Sequence, residues 1–105
     1  MALTTIAGKE VHVDHEGFMT EYDEWDEDLA PVLAANIGIE DLTEDHWQVI
    51  KYLRGDYQKQ GETATLRRVS TYGGVTTKQL FKLFPKKPAK KMSYVSGLPK
   101  PAGCV

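Results

Sequence analysis

The 105-residue sequence holds a single cysteine, Cys104, second from its end. One cysteine excludes an internal disulfide and a cysteine-rich zinc cluster. The three histidines do not make up for it. His12 and His15 fall on one expected hairpin, His46 opens an expected helix, and no pair has ligand spacing with the cysteine. Long apolar runs are missing as well, so no stretch reaches the length of a membrane-spanning helix. The first residues lack a basic region followed by an apolar one. With a lone thiol suited to a reducing compartment, these absences set the expectation of a cytoplasmic protein. No nucleophile, base and orienting group fall into a hydrolase pattern, and there is no internal repeat.

Acidic residues are absent from residues 63–105, which carry nine lysines and arginines, a balance of +9. Residues 1–62 hold all fifteen acidic residues and four basic ones, a balance of −11. Packing of the two halves against each other neutralises much of this. A basic surface toward the C-terminus also favours acidic partners or anionic chemistry.

What is present reads as strands followed by helices. Thr4–Ala7, Val11–Val13 and Phe18–Thr20 are expected strands, separated by Gly8-Lys9 and by the turn Asp14–Gly17. Asp26 is the expected N-cap of a helix through about Asn36, ended by Gly38. Thr43 begins the clearest helix, with Trp47, Ile50 and Leu53 on its apolar face and Gly61 after its end. Thr63 to Tyr72, Thr76 or Thr77 to Phe84, and a segment starting at Pro88 and running to about Val95 supply three more. Trp25, Trp47, Phe81 and Phe84 read as core aromatics. The order predicts an α+β fold: a small three-stranded N-terminal antiparallel meander packed on about five helices, with residues 1–96 as one domain.

Residues 97–105, Gly-Leu-Pro-Lys-Pro-Ala-Gly-Cys-Val, read as a mobile C-terminal arm carrying Cys104. Pro99 and Pro101 stiffen it, Gly97 and Gly103 give it hinges, and no residue in it has an evident core role. At ~3.3 Å per residue the arm reaches on the order of 30 Å. The chemistry that fits is a tethered nucleophile.

The block Leu83-Phe84-Pro85…Pro88-Ala89-Lys90 and this ending resemble the DsrC/TusE family, the sulfur carriers that include the gamma subunit of dissimilatory sulfite reductase. Gly8-Lys9, Glu16-Gly17-Phe18, Trp25, Thr43–Trp47 and Arg67 extend the resemblance over the chain. It implies that Cys104 accepts a persulfide and passes it to a partner enzyme, as in the single-cysteine, TusE-like relay toward tRNA 2-thiolation. It implies no cofactor. Partners would be a TusBCD- or DsrEFH-like protein donor and a tRNA thiolase or sulfite reductase acceptor. Arg67, Lys90, Lys100, Gly97, Pro99 and Pro101 would position the arm and its partners. The protein is then a carrier rather than a stand-alone catalyst. An unperturbed thiol ionises at about 8.5. Lys100, and Arg67 where the arm folds back, would raise the thiolate fraction, while the adjacent terminal carboxylate opposes them, so no strongly depressed pKa is expected.

Family members that work with sulfite reductase have a second cysteine eleven positions earlier, where this chain has Ser93. That favours the relay role over the alternative, a DsrC-like gamma subunit of dissimilatory sulfite reductase. A reading from another class is a helix–turn–helix DNA-binding regulator, with Thr63–Tyr72, Gly73-Gly74 and Thr76–Phe84 as its two helices. The same layout turns a corner in any small bundle, and a net charge of −2 argues against direct nucleic-acid binding.

Overall fold

β1 (Ala2–Ile6) and β2 (Lys9–Val13) pair antiparallel, with Ala2 opposite Val13 and Ile6 opposite Lys9. Ala7 and Gly8 form a two-residue turn with φ of 52° and 79°. Positive φ at both central positions matches the right-handed twist of the flanking strands. Alternation along β2 buries Val11 and Val13 on one face. The computed structural model describes residues 2–101, so Cys104 lies outside the described residues.

The expected third strand is not formed; Phe18–Thr20 makes only an isolated bridge, Val13 to Met19. Thr20 N–H still donates to the His12 carbonyl at 3.1 Å, but the chain then leaves the sheet for a short 3-10 turn, Tyr22–Glu24. The Glu24 carboxylate takes the His12 backbone N–H at 2.7 Å and faces His12 Nδ1 at 2.8 Å. A side chain thus fills the edge of β2 that a longer strand would pair.

Five helices follow among the described residues: α1 (Leu29–Asn36), α2 (Glu44–Gln60), α3 (Leu66–Tyr72), α4 (Thr77–Leu83) and α5 (Pro88–Val95). Thr43 caps α2, accepting from His46 N–H, while His46 Nδ1 accepts from Thr43 N–H at 3.1 Å. His46 Nε2 lies 2.8 Å from the Leu83 carbonyl, so the proton sits on Nε2 and ties α2 to the end of α4. Gly61 ends α2 at φ 74°. Thr76 and Gln79 form the reciprocal cap of α4.

Two starts differ from expectation. α1 begins at Leu29 because the Asp26 carboxylate accepts from Asp28 N–H at 2.9 Å, closing a local turn ahead of the helix. α3 begins at Leu66 behind its cap Thr65, which frees Thr63 for a contact with the C-terminal segment. Phe81 is also corrected: it is half exposed on α4, whereas Phe84 is fully buried.

α5 packs against α1 and α2 at the centre of the fold. One apolar cluster joins α1–α5, and a second joins the hairpin to Leu29 and Leu33 of α1. Trp25 and Tyr94 touch both. Ahead of α5, Lys86 and Lys87 are both left-handed, with φ of 59° and 54°. For residues with a β-carbon that conformation costs about 1–2 kcal/mol each.

Candidate functional site around the C-terminal segment

α5 ends in a Schellman motif. Leu98 N–H donates to the Ser93 carbonyl at 3.1 Å and Gly97 N–H to the Tyr94 carbonyl at 3.2 Å. Gly97 adopts φ 68°, and a β-carbon there would overlap Cδ1, Cγ and Cβ of Trp25. Gly97 is therefore a helix stop against an indole rather than a hinge. Leu98 is fully buried in the main core cluster, a burial that contributes about 2 kcal/mol. The expectation that residues 97–105 have no core role is thus corrected for the part described, residues 97–101.

Two aromatic residues and an arginine hold this stop. Trp25 Nε1–H donates to the Val95 carbonyl at 2.9 Å. Arg54 of α2 lies between the rings of Tyr22 and Trp25, 3.9 and 4.2 Å from their centroids. Its guanidinium donates to the Ser96 and Tyr22 carbonyls, both at 2.9 Å. A cation on the last carbonyls of α5 also complements the helix dipole. Burial lowers the Arg54 pKa from its ordinary value, while Tyr22 and Asp23 act the other way. Tyr22 stacks on Tyr57 and donates its hydroxyl to the Arg54 carbonyl at 3.0 Å, completing the cage.

Beyond the stop the chain is held at successive residues. Thr63 Oγ1 donates to the Pro99 carbonyl at 2.7 Å. Lys100 Nζ pairs with Glu16 at 3.1 Å, and Pro101 is buried. Lys90 is half-buried on α5, whereas Arg67 is exposed on α3. Among the described residues the Arg67 side chain has no hydrogen-bond or ion-pair partner. Its neighbour Arg68 makes a two-pronged contact with buried Asp56, 2.9 Å at each prong. That bond raises the Arg68 pKa above its ordinary value. The structure therefore holds Gly97, Pro99, Lys100 and Pro101 along one path, and among the described residues Arg67 makes none of the bonds that hold it.

Ser93 is completely buried on α5, its hydroxyl donating to the Ala89 carbonyl at 2.8 Å. No group of acidic, histidine or cysteine side chains able to hold a metal occurs among the described residues. A depression of about 660 Å³, lined by Glu27, Glu44, Trp47, Gln48 and Lys51, contains none of the residues that hold the C-terminal segment. A smaller groove of about 270 Å³ does adjoin it through Glu16.

Trp25, Arg54, Tyr22, Thr63 and Glu16 were not foreseen as positioning residues. The Gly-Leu pair after a helical run is itself a stop signal with an apolar follower. Arg54 carries no such mark, since its partner Ser96 is 42 residues away.

The model of the DsrC-like protein family matches residues 5–105. The gamma subunit of dissimilatory-type sulfite reductase of Nitratidesulfovibrio vulgaris is 36% identical, with all of both chains covered. Sulfurtransferase TusE of Escherichia coli is also 36% identical, over 93% of this chain and 95% of that protein. Among solved structures, a crystal structure of dissimilatory sulfite reductase I (DsrI) superposes with a TM-score of 0.86 at 33% identity, covering 99% of this chain and 100% of that one. The oxidized gamma subunit (DsrC) from Archaeoglobus fulgidus gives 0.77 at 34% identity, with the same coverage. Full-length likeness in both sequence and fold makes this chain a member of the DsrC-like family.

Proposed function

We propose that the protein is a sulfur carrier that accepts a persulfide sulfur on Cys104 and hands it to a partner enzyme, in the manner of TusE. The observation that carries this reading is the root of the C-terminal segment. Five consecutive residues, 97–101, are locked onto the body by a helix stop, a core leucine, a hydroxyl and an ion pair. Such fixation gives the chain that follows one anchor point on the surface. Cys104 is three residues past Pro101, so its Cα lies within about 11 Å of Pro101 Cα. The 30 Å reach of a nine-residue free arm is thereby cut to about a third, and partners must come to the body to meet the thiol.

In the acceptance step the Cys104 thiolate attacks the outer sulfur of a donor persulfide. A new sulfur–sulfur bond forms at Cys104, the donor's sulfur–sulfur bond breaks, and the donor leaves as a thiolate. No oxidant is consumed. Delivery repeats the exchange with Cys104 as the leaving thiolate. Lys100, four residues before Cys104 in the same segment, is the cation nearest to these anions in sequence, and its pairing with Glu16 offsets part of its charge.

The sulfite-reductase gamma subunit from Nitratidesulfovibrio, at 36% identity, supports the alternative role. Buried Ser93 weighs against it, because a serine on α5 cannot close a disulfide with Cys104 to release cargo. Among the described residues no helix is long and apolar enough to cross a membrane. The Arg68 guanidinium is committed to Asp56, so one of the two arginines of a helix–turn–helix reading is unavailable to phosphates.

Intact-mass measurement after incubation with a persulfide-loaded desulfurase relay tests the carrier. A gain of one sulfur atom is expected for the protein and none for Cys104→Ser. No gain in either, with the Cys104 thiol fully alkylatable, would overturn the proposal.

A further inference from the structure

The groove beside the C-terminal segment has an apolar floor and a cationic rim. Phe18, Ile37 and Tyr94 form the floor, with Phe18 edge-on to Tyr94 at 5.8 Å between ring centroids. Asn36 holds the Tyr94 hydroxyl at 3.2 Å, which fixes that ring from the α1 side. Lys90 and Lys91 stand on the rim, with the Lys91 ammonium donating to the Pro85 carbonyl, and the single carboxylate there, Glu16, is already paired with Lys100.

The rim continues past the groove. Lys91 N–H donates to the Lys87 carbonyl at 3.2 Å, one helical turn apart, so Lys87, Lys90, Lys91 and Tyr94 lie along one side of α5. Lys86 and Lys87 are exposed and occupy left-handed backbone, where glycine carries no steric penalty. Two consecutive lysines in that conformation lower the stability of the body. Neither has a side-chain partner among the described residues that offsets the strain. Strain kept at a loop beside a groove points to a use for the charges outside the fold.

We infer that this groove is the docking site for an acidic segment of the protein that exchanges sulfur with Cys104. The inference deepens the carrier reading and rests on it for the partner's identity as a protein. The segment places one apolar side chain on Phe18, Ile37 and Tyr94 and its carboxylates on Lys87 and Lys90. Charge selects a polyanion, and the floor selects a peptide over a nucleic acid, since phosphates have nothing to bury on aromatic and aliphatic carbon. Because Glu16 lines the groove and also holds Lys100, a docked segment sits at the base of the chain that leads to Cys104.

Binding is read directly, without sulfur transfer, so its failure is separable from failure of the carrier. The full chain, uniformly nitrogen-labelled, is titrated with a short peptide of glutamates around one phenylalanine. Chemical-shift changes are expected at Phe18, Ile37, Lys90 and Tyr94, and much weaker ones with the phenylalanine replaced by glycine. Changes elsewhere, equal binding of the glycine peptide, or tighter binding of a short RNA duplex would overturn the proposal. Lys86→Gly/Lys87→Gly supplies the second arm. It is expected to melt higher than the parent yet bind the peptide roughly three- to tenfold more weakly, as loss of exposed charge contacts predicts. A higher melting temperature with unchanged affinity, or a lower melting temperature, would contradict the argument.

Discussion

Gly97→Ala probes the helix stop that anchors the chain ahead of Cys104. Two costs add. An alanine at φ 68° pays about 1 kcal/mol for left-handed backbone. Its β-carbon also overlaps the Trp25 side chain, which has little freedom to withdraw. Moving the indole breaks the Nε1–H bond to the Val95 carbonyl, worth about 1 kcal/mol. It also lifts the ring from the Arg54 guanidinium, 4.2 Å away, a loss of about 0.5–1 kcal/mol. The total is about 3 kcal/mol, or roughly 10–20 °C in melting temperature for a domain of this size. Gly61→Ala is the internal control: φ is 74°, but nothing lies within 4 Å of the added carbon, so about 1 kcal/mol is expected. Urea unfolding of both variants, followed by tryptophan fluorescence, gives the difference directly. Equal losses would refute the Trp25 contact and the locked root with it.

Three other outcomes are expected. The Glu24 carboxyl is held below its ordinary 4.5, first by the His12 backbone N–H and then by the His12 side chain. A depressed folded-state value means that the carboxylate stabilises the fold above pH 4.5 and loses that effect as pH falls through the folded value. Melting curves of Glu24→Gln should therefore lie below the parent at neutral pH and converge with it in acid; a constant gap would contradict this. Arg68→Ala leaves the buried Asp56 carboxylate without its partner and should lower the melting temperature clearly more than Arg67→Ala, and equal shifts would discount the pair. Arg67→Ala is expected to raise the KM for sulfur acceptance from a protein donor at unchanged melting temperature, and an unchanged KM would remove Arg67 from the partner surface.

Much of the helical frame was legible because local chemistry decides it. Thr43, Thr76 and Pro88 mark helix starts, and Gly61 an end, through capping and backbone geometry that act within a few residues. The third strand was misread because its place on β2 is taken by the carboxylate of Glu24, twelve residues from His12. Phe81 was misread because a seven-residue helix buries only one side, and Leu80 and Phe84 occupy it. At the site, the thiol and its Gly-Leu-Pro-Lys-Pro tail stand out in the sequence, but their mechanics do not. Proline and glycine suggested looseness where Leu98, Trp25, Arg54 and Thr63 impose a fixed path. Those contacts span 36 to 70 residues where hydrogen bonds make them, beyond the reach of any local pattern.

Delivery is the step that separates a carrier from a protein that merely becomes persulfidated. The measurement is to load Cys104 with radioactive sulfur from a persulfide donor, remove the donor, and add the acceptor candidates, a tRNA thiolase with its tRNA and ATP, and a dissimilatory sulfite reductase with an electron acceptor. The account predicts that label leaves the protein only when an acceptor is present, and that it appears in thiolated tRNA in preference to sulfite-reductase products. Label that stays on Cys104 with either acceptor, or departs at the same rate with none, would contradict it.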